Sequence, residues 1–339
     1  QPANPLPSGT GTHDNIQAIV GDVASRVGAF DINSDGYMDL AYVGDTCGRL
    51  WRFDISEPIQ VSGSIAQTGP SGTLDLIAED WTGQIAFCAN TDAECFGMSG
   101  PEVPQNNLEP IYFAPTVVLD DLGRRHVIFV TGDRRDPSSI TKNGKLYNFI
   151  DDYIPAFIAG GTSLGGTTIK TADHFVNSGQ VIELEAQSGV DGQFVTTPAG
   201  GFSADQGEFL IKFPSNLTNP EEGEKGFGVP VVIRRVLIFT TFAPPTDNTD
   251  ACSGGTGLGR IFALDYITGQ AALTRIPGVT DSGLLQGTSA QKEAAAGLTV
   301  AEGMPTPAQL TFGAGGSVLM SVAFTGGPVG GGAKFIVGE

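Results

Sequence analysis

Nine residues, DINSDGYMD at 31–39, carry oxygen-bearing side chains at alternate positions and then turn on a glycine. Asp31, Asn33 and Asp35 take the first, third and fifth places, Tyr37 offers a main-chain carbonyl at the seventh, and Asp39 stands ninth. Short carboxylate and amide side chains converge on one point only if the chain curls around it, and Gly36 permits that curl. Hard oxygen donors in this number favour Ca2+ over a softer metal. The spacing is that of the first part of an EF-hand loop. The twelfth place, however, holds Tyr42 where an EF-hand has a bidentate Glu, and the flanks RVGAF and LAYVGD read as strands, not helices. An ion-free turn rich in Asn and Asp uses the same residue types. Four spaced oxygen side chains plus the glycine favour the ion. The expectation is a Ca2+ loop in a β-hairpin, its shell completed by another side chain or water.

Other residues with chemical potential do not assemble into a motif. No GxSxG, HExxH or P-loop sequence occurs, and His13, His126 and His174 are scattered without metal or triad spacing. TGDRRDP at 131–137 reads as an ion pair closing a turn. Four cysteines, Cys47, Cys88, Cys95 and Cys252, form no CxxC. Cys88 and Cys95 flank the polar stretch ANTDAE and are the disulfide candidates, with Cys47 and Cys252 paired or free. An even count in an acidic, glycine-rich chain points to an oxidising compartment.

With 18 Lys+Arg against 37 Asp+Glu, the chain carries a formal charge of −19 and repels nucleic acid and anionic membrane surfaces. No stretch reaches the roughly 18 apolar residues of a membrane span, so no membrane insertion is expected. The opening QPANPLPSGTGTHDN has neither Met nor a signal-peptide pattern and reads as the start of an excerpt or of a processed chain.

The elements that must position the loop repeat along the chain. GRLWRFDI begins at Gly48, GKLYNFID at Gly144, GRIFALDY at Gly259, and GAKFIVG at Gly332 is a weaker echo. An apolar strand precedes each (LAYVGD, VIFVTGD, VLIFTTF, VLMSVAF), and another precedes that (RVGAFDI, FAPTVVL, FGVPVVI, PTPAQLTF). In GRIFALDY, Ile261 and Ala263 point one way and Phe262, Leu264 and Tyr266 the other, so both faces need cover. In GRLWRFDI, Trp51, Phe53 and Ile55 share a face and read as core. Forty-eight glycines and 21 prolines make the chain turn-dense, and no helix-length apolar period separates the units. The expected fold is all-β, a β-propeller of quinoprotein-like blades. Units lie near 26–56, 108–151, 179–269 and 303–337, after an irregular segment 1–24. Four units are few for a ring, so the chain is either part of a longer propeller or one completed by its long insertions. Insertions at 57–107 and 151–225 supply outer strands (QVIELEAQSG, GEFLIKFP) or decorate the rim, and SAQKEAAAGL within 286–304 is the one stretch expected to be helical.

AFDINSDGYMDLAYVGDTCGRLWRFDIS resembles the calcium-loop blade in the C-terminal domain of PilY-type proteins, the tip-associated adhesins and assembly factors of type IV pili. PIYFAPTVVLDDLGRRHVIFVTGDRRDP, EKGFGVPVVIRRVLIFTTFAPP, CSGGTGLGRIFALDYITG and GMPTPAQL are similar to later blades in the same order, covering most of 26–325. The resemblance implies a non-enzymatic, extracellular, pilus-associated propeller whose Ca2+ tunes pilus extension and retraction. It implies Asp31, Asn33, Asp35, Tyr37 and Asp39 as the ligands. Minor pilins or other pilus-tip subunits are the implied partners, and a host or abiotic surface is bound through regions outside this chain. No von Willebrand A-like module and no RGD tripeptide is present. Two rival functions share the architecture. A pyrroloquinoline-quinone dehydrogenase needs a funnel of Arg, Asp, Asn and Trp, yet the chain has two Trp. A lectin-like or integrin-like propeller calls for several calcium loops, and one is seen.

Overall fold

Each strand phrase of the repeat folds as a strand. A computed structural model describes residues 22–56, 82–91, 109–140, 142–159, 163–166, 168–198, 203, 207–214, 223–245, 257–276, 279, 285–306, 308–312, 318–323 and 332–336. The first blade is an antiparallel meander of β1 (Gly28–Phe30), β2 (Leu40–Gly44), β3 (Arg49–Asp54) and β4 (Thr82–Cys88). In the second, β5 (Thr116–Leu119), β6 (Arg125–Val130) and β7 (Lys145–Ile150) run antiparallel in chain order.

The chain then leaves the second blade. After α1 (Ala156–Ala159), β8 (Lys170–Thr171) pairs in parallel with β4 of the first blade. Next come α2 (Ala172–Ser178), β9 (Val181–Ala186), β10 (Gln193–Pro198) and β11 (Phe209–Lys212). β11 closes the second blade against β7. The third blade comprises β12 (Lys225–Gly226), β13 (Val231–Ile233), β14 (Val236–Ala243), β15 (Leu258–Asp265) and β16 (Ala295–Glu302). Both β12 and β13 pair with β14, so they act as one interrupted first strand. A three-stranded sheet of β17 (Gln309–Phe312), β18 (Val318–Ala323) and β19 (Gly332–Ile336) completes the described set.

Two features make this a propeller arrangement. The first strands of successive blades are neighbours: β5 lies against β1 on one side and β13 on the other. Each inner sheet also buries both of its faces. Val127 and Phe129 of β6 pack with Leu40, Tyr42, Leu50 and Phe87 of the first blade. Ile128 and Val130, one residue out of phase, pack with Leu237, Phe239 and Leu264 of the third. The two faces read in GRIFALDY separate as expected, Ile261 and Ala263 into one core and Phe262, Leu264 and Tyr266 into another. Each fully buried aliphatic or Phe side chain contributes about 1.5–3 kcal/mol. Trp51 is fully buried with Val43 and Ile85, Phe53 packs partly buried against them, and Ile55 is half-buried.

The 151–225 insertion supplies outer strands. β9 lies parallel to β11, and β10 pairs with both β9 and β16. The β9–β10 hairpin thus joins the outer edges of the second and third blades into one eleven-stranded sheet. SAQKEAAAGL is helical only in its first half. α3 (Ser289–Glu293) starts at a capping box between Thr288 and Gln291, and the chain is β16 from Ala295. Pairing of β16 with β15 and β10 overrides the helix preference of its alanines. The expected 1–24 segment is described only from Asp22, where Val23 bridges Asp45.

At the corner of β8, α2 and β11, Glu208 accepts from the Ile150 amide at 2.5 Å and pairs with Lys170 and His174. Burial opposes its charge, yet the His174 and Lys170 hydrogen bonds and the Lys170 charge hold its carboxyl down at about 2. A carboxyl depressed on folding contributes stability above its unfolded pKa, and that contribution is lost as pH falls through the folded value. Acid unfolding of wild type is therefore expected to steepen below about pH 4.3, the ordinary Glu value. Glu208→Gln flattens that limb in urea titrations at pH 2–5 while lowering stability at pH 7.

Candidate metal centre

The 31–39 stretch is the connection between β1 and β2, which pair from Phe30↔Leu40 to Gly28↔Tyr42. The loop is curled by its own side chains. Asp31 Oδ1 accepts from the Ser34 amide at 2.6 Å and Asp31 Oδ2 from the Gly36 amide at 2.8 Å. Asn33 Oδ1 accepts from the Asp35 amide at 3.0 Å, and Asp35 Oδ1 from the Tyr37 amide at 2.8 Å. Gly36 has φ +93° with open space around it, so backbone conformation and not crowding requires glycine. Ser34 also takes a left-handed φ of +61°.

Asp39 anchors the loop to the blade. Its amide donates to the Phe30 carbonyl, its carbonyl accepts from the Ile55 amide, and Oδ2 accepts from the Ile32 amide at 2.6 Å. Its side chain is buried while residues 33–38 are exposed, Tyr37 at 78%. Burial pushes the Asp39 carboxyl above its ordinary value, the Asp31 and Asp35 charges add to the rise, and the Ile32 and Asn33 amides oppose it.

Three mutually repelling carboxylates thus share one small loop. Among the described residues none of Asp31, Asp35 or Asp39 has an ion-pair partner, and the Tyr37 carbonyl accepts no hydrogen bond. Nor do three His, Cys, Asp or Glu side chains among the described residues gather as a metal cluster. The available donors are nevertheless three carboxylates, one amide oxygen and one main-chain carbonyl. That all-oxygen, uncompensated set suits a hard divalent cation such as Ca2+.

Tyr42 explains why the twelfth EF-hand ligand is missing. Its side chain is fully buried and points into the seam between the first two blades. There its hydroxyl donates to Asp151 Oδ2 at 2.7 Å and accepts from Arg125 Nε at 3.0 Å. Asp151 Oδ1 accepts from Arg52 Nη1 at 2.5 Å and from the Tyr153 amide at 3.1 Å. The Arg52 guanidinium lies 3.9 Å over the Tyr153 ring, and the Tyr153 hydroxyl donates to Asp54 at 2.7 Å. Burial opposes the Asp151 charge, but Arg52 and Arg125 hold its carboxyl below the usual range. Arg52 Nε is buried without a hydrogen-bond partner. Spacing alone did not reveal this seam, because Tyr42 and Asp151 are 109 residues apart. The one local signal is Arg52, a basic residue inside an apolar strand.

The remaining candidates separate. Asp133 and Arg135 form the expected exposed pair at a turn, 3.1 Å apart. His126 is buried between Asn148 and Asp120, and burial lowers its pKa, consistent with a structural role. Cys88 is buried at the end of β4, and Cys95 and Cys252 lie outside the described residues. Cys47 is the one free thiol among those described.

No protein-family model matches the chain. In sequence it is 26% identical over 253 residues to the type IV pilus biogenesis factor PilY1 of Pseudomonas aeruginosa strains PAO1 and PAK, covering 70% of this chain and 20% of each relative. PilY1 of strain UCBPP-PA14 is 24% identical over 277 residues, 75% of this chain and 22% of that protein. The chain therefore spans about a fifth of the length of these relatives. Its structure matches the crystal structure of the P. aeruginosa PilY1 C-terminal domain with a TM-score of 0.58 and 19% identity, covering 91% of this chain and 59% of that one. At that identity the structural match speaks for the fold, a β-propeller. Sequence and fold point to the same relative: the chain is similar to the C-terminal domain of PilY1.

Proposed function

We propose that this chain is a non-enzymatic, calcium-binding propeller domain of a type IV pilus-associated protein. It acts at the cell surface in pilus assembly, extension and retraction, and attachment. The observation that carries the reading is the 31–39 loop: three carboxylates without a counter-charge, on a blade hairpin, in a relative of a pilus biogenesis factor. Asp31, Asn33, Asp35, the Tyr37 carbonyl and Asp39 would hold Ca2+. The ion would supply charge compensation and fix the loop; no reaction is assigned to it. Partners are minor pilins or other pilus-tip subunits, with surface contact made through regions outside this chain. A Cys88–Cys95 bridge suits an exported protein. No described helix is long and apolar enough to cross a membrane.

Ca2+ at a hundredfold its Kd is expected to stabilise the chain by roughly 3 kcal/mol, read as a rise in Tm. Immobilised chain in Ca2+ buffer is expected to retain pilin-like proteins from a surface fraction of a piliated strain. A fraction containing pilins from which none is retained contradicts the pilus reading. Turnover of alcohols or sugars with added pyrroloquinoline quinone and Ca2+ contradicts the non-enzymatic one.

A further inference from the structure

We propose that Tyr42 is a positioning residue that couples the 31–39 loop to the seam between the first two blades, so that a cation in the loop tightens that seam. The proposal rests on the loop being a Ca2+ site. The path is short. Asp39, the last expected ligand, is the residue before β2, and β2 reaches Tyr42 three residues later. Asp39 is held on both sides, by Phe30 of β1 and by Ile55 just past β3. Leu40 pairs with Phe30 and Asp54, and Tyr42 with Gly28 and Arg52, so the segment between loop and seam is a central strand with both edges bonded.

At the far end, the Tyr42 hydroxyl is shared by Asp151 and Arg125 of the second blade. A second crossing lies two pairs nearer the loop, where Asp54, opposite Leu40, accepts from the Tyr153 hydroxyl. The Tyr42 crossing is buried and the Asp54 crossing part-buried; the buried one tolerates little displacement because breaking it leaves charged groups unsatisfied. The Asp31 and Asp35 charges repel that of Asp39 at the start of β2. A bound cation reverses that force and restrains Asp39. Whatever the seam gains from the ion, ion affinity must gain from the seam by the same factor. Tyr42 supplies no ligand oxygen, yet its hydroxyl should matter for Ca2+ affinity.

The test uses the full chain as wild type, Tyr42→Phe and Arg125→Lys. Ca2+ affinity is read by calorimetry, and amide hydrogen exchange is followed with and without CaCl2. In wild type, Ca2+ is expected to slow exchange in β6 and β7 as well as in β1–β3. Tyr42→Phe is expected to bind Ca2+ at the same stoichiometry but at least about fivefold more weakly, the low end of typical coupling. Its β6 and β7 amides should no longer respond to Ca2+. Arg125→Lys removes the other bond to the same hydroxyl and should behave alike, which keeps the test valid if Tyr42→Phe does not fold. Ca2+ binding with protection confined to β1–β3 overturns the coupling and leaves the ion site standing. So does wild-type affinity in both folded variants. Absence of Ca2+ binding to wild type overturns the site, and the coupling with it.

Discussion

Asp31→Ala combined with Asp35→Ala is expected to lower Ca2+ affinity by at least about a hundredfold and to abolish the Ca2+-dependent rise in Tm. Two of three carboxylates are removed, and a site without the bidentate Glu has few donors to spare. In the absence of Ca2+ the cost is small. Asp31 satisfies the amides of Ser34 and Gly36, and Asp35 that of Tyr37, in an exposed loop where water replaces lost partners. Each such bond is worth about 1 kcal/mol, and removing two negative charges relieves repulsion at Asp39. Apo stability should therefore fall by no more than about 2 kcal/mol in urea titrations. Asp31→Asn removes one charge but keeps one of the two acceptor oxygens, which serve the Ser34 and Gly36 amides. It is expected to lose about 1 kcal/mol of apo stability at most and to lose Ca2+ affinity. Apo unfolding of the double variant would show that the carboxylates serve the turn instead of an ion.

Asp151→Ala is expected to destabilise the chain by about 3–5 kcal/mol, a large share of a domain's total. The carboxylate joins Arg52 and Tyr42 of the first blade to Arg125 of the second, and both guanidiniums are nearly inaccessible, at 1% and 6% side-chain exposure. Its loss leaves two buried cations facing each other across the seam. Asp151→Asn keeps hydrogen-bonding capacity but not the charge, and should fall between wild type and Asp151→Ala. A double variant that also changes Arg52→Met is expected to recover part of the loss, because it removes one of the uncompensated charges. Urea midpoints of the four proteins at pH 7 check the order. Equal stability of wild type and Asp151→Ala would mean that the seam is hydrated and carries little of the fold.

The strands were legible because their two-residue alternation is local. Ile261 and Ala263 against Phe262 and Leu264 announce a sheet covered on both sides, and the structure buries both sets. The loop was legible for a similar reason, since all five expected ligands fall within nine residues. Alternation says which face a residue takes but not which sheet its strand joins. Nothing in GEFLIKFP shows that β11 returns to β7 across an excursion of more than fifty residues. Ala295 and Ala296 looked helical because helix preference is local, whereas the pairing of their strand, β16, with β15 and β10 is not. The seam was invisible for the same cause. Tyr42 reads as an apolar-face aromatic until Asp151 and Arg125 are placed beside its hydroxyl.

Isothermal calorimetry of Ca2+ into wild type and into Asp31→Ala/Asp35→Ala decides whether the 31–39 loop holds an ion. One dominant site is expected in wild type, with heat that disappears in the double variant. Unchanged stoichiometry in the double variant, or no binding to wild type at millimolar Ca2+, would contradict it.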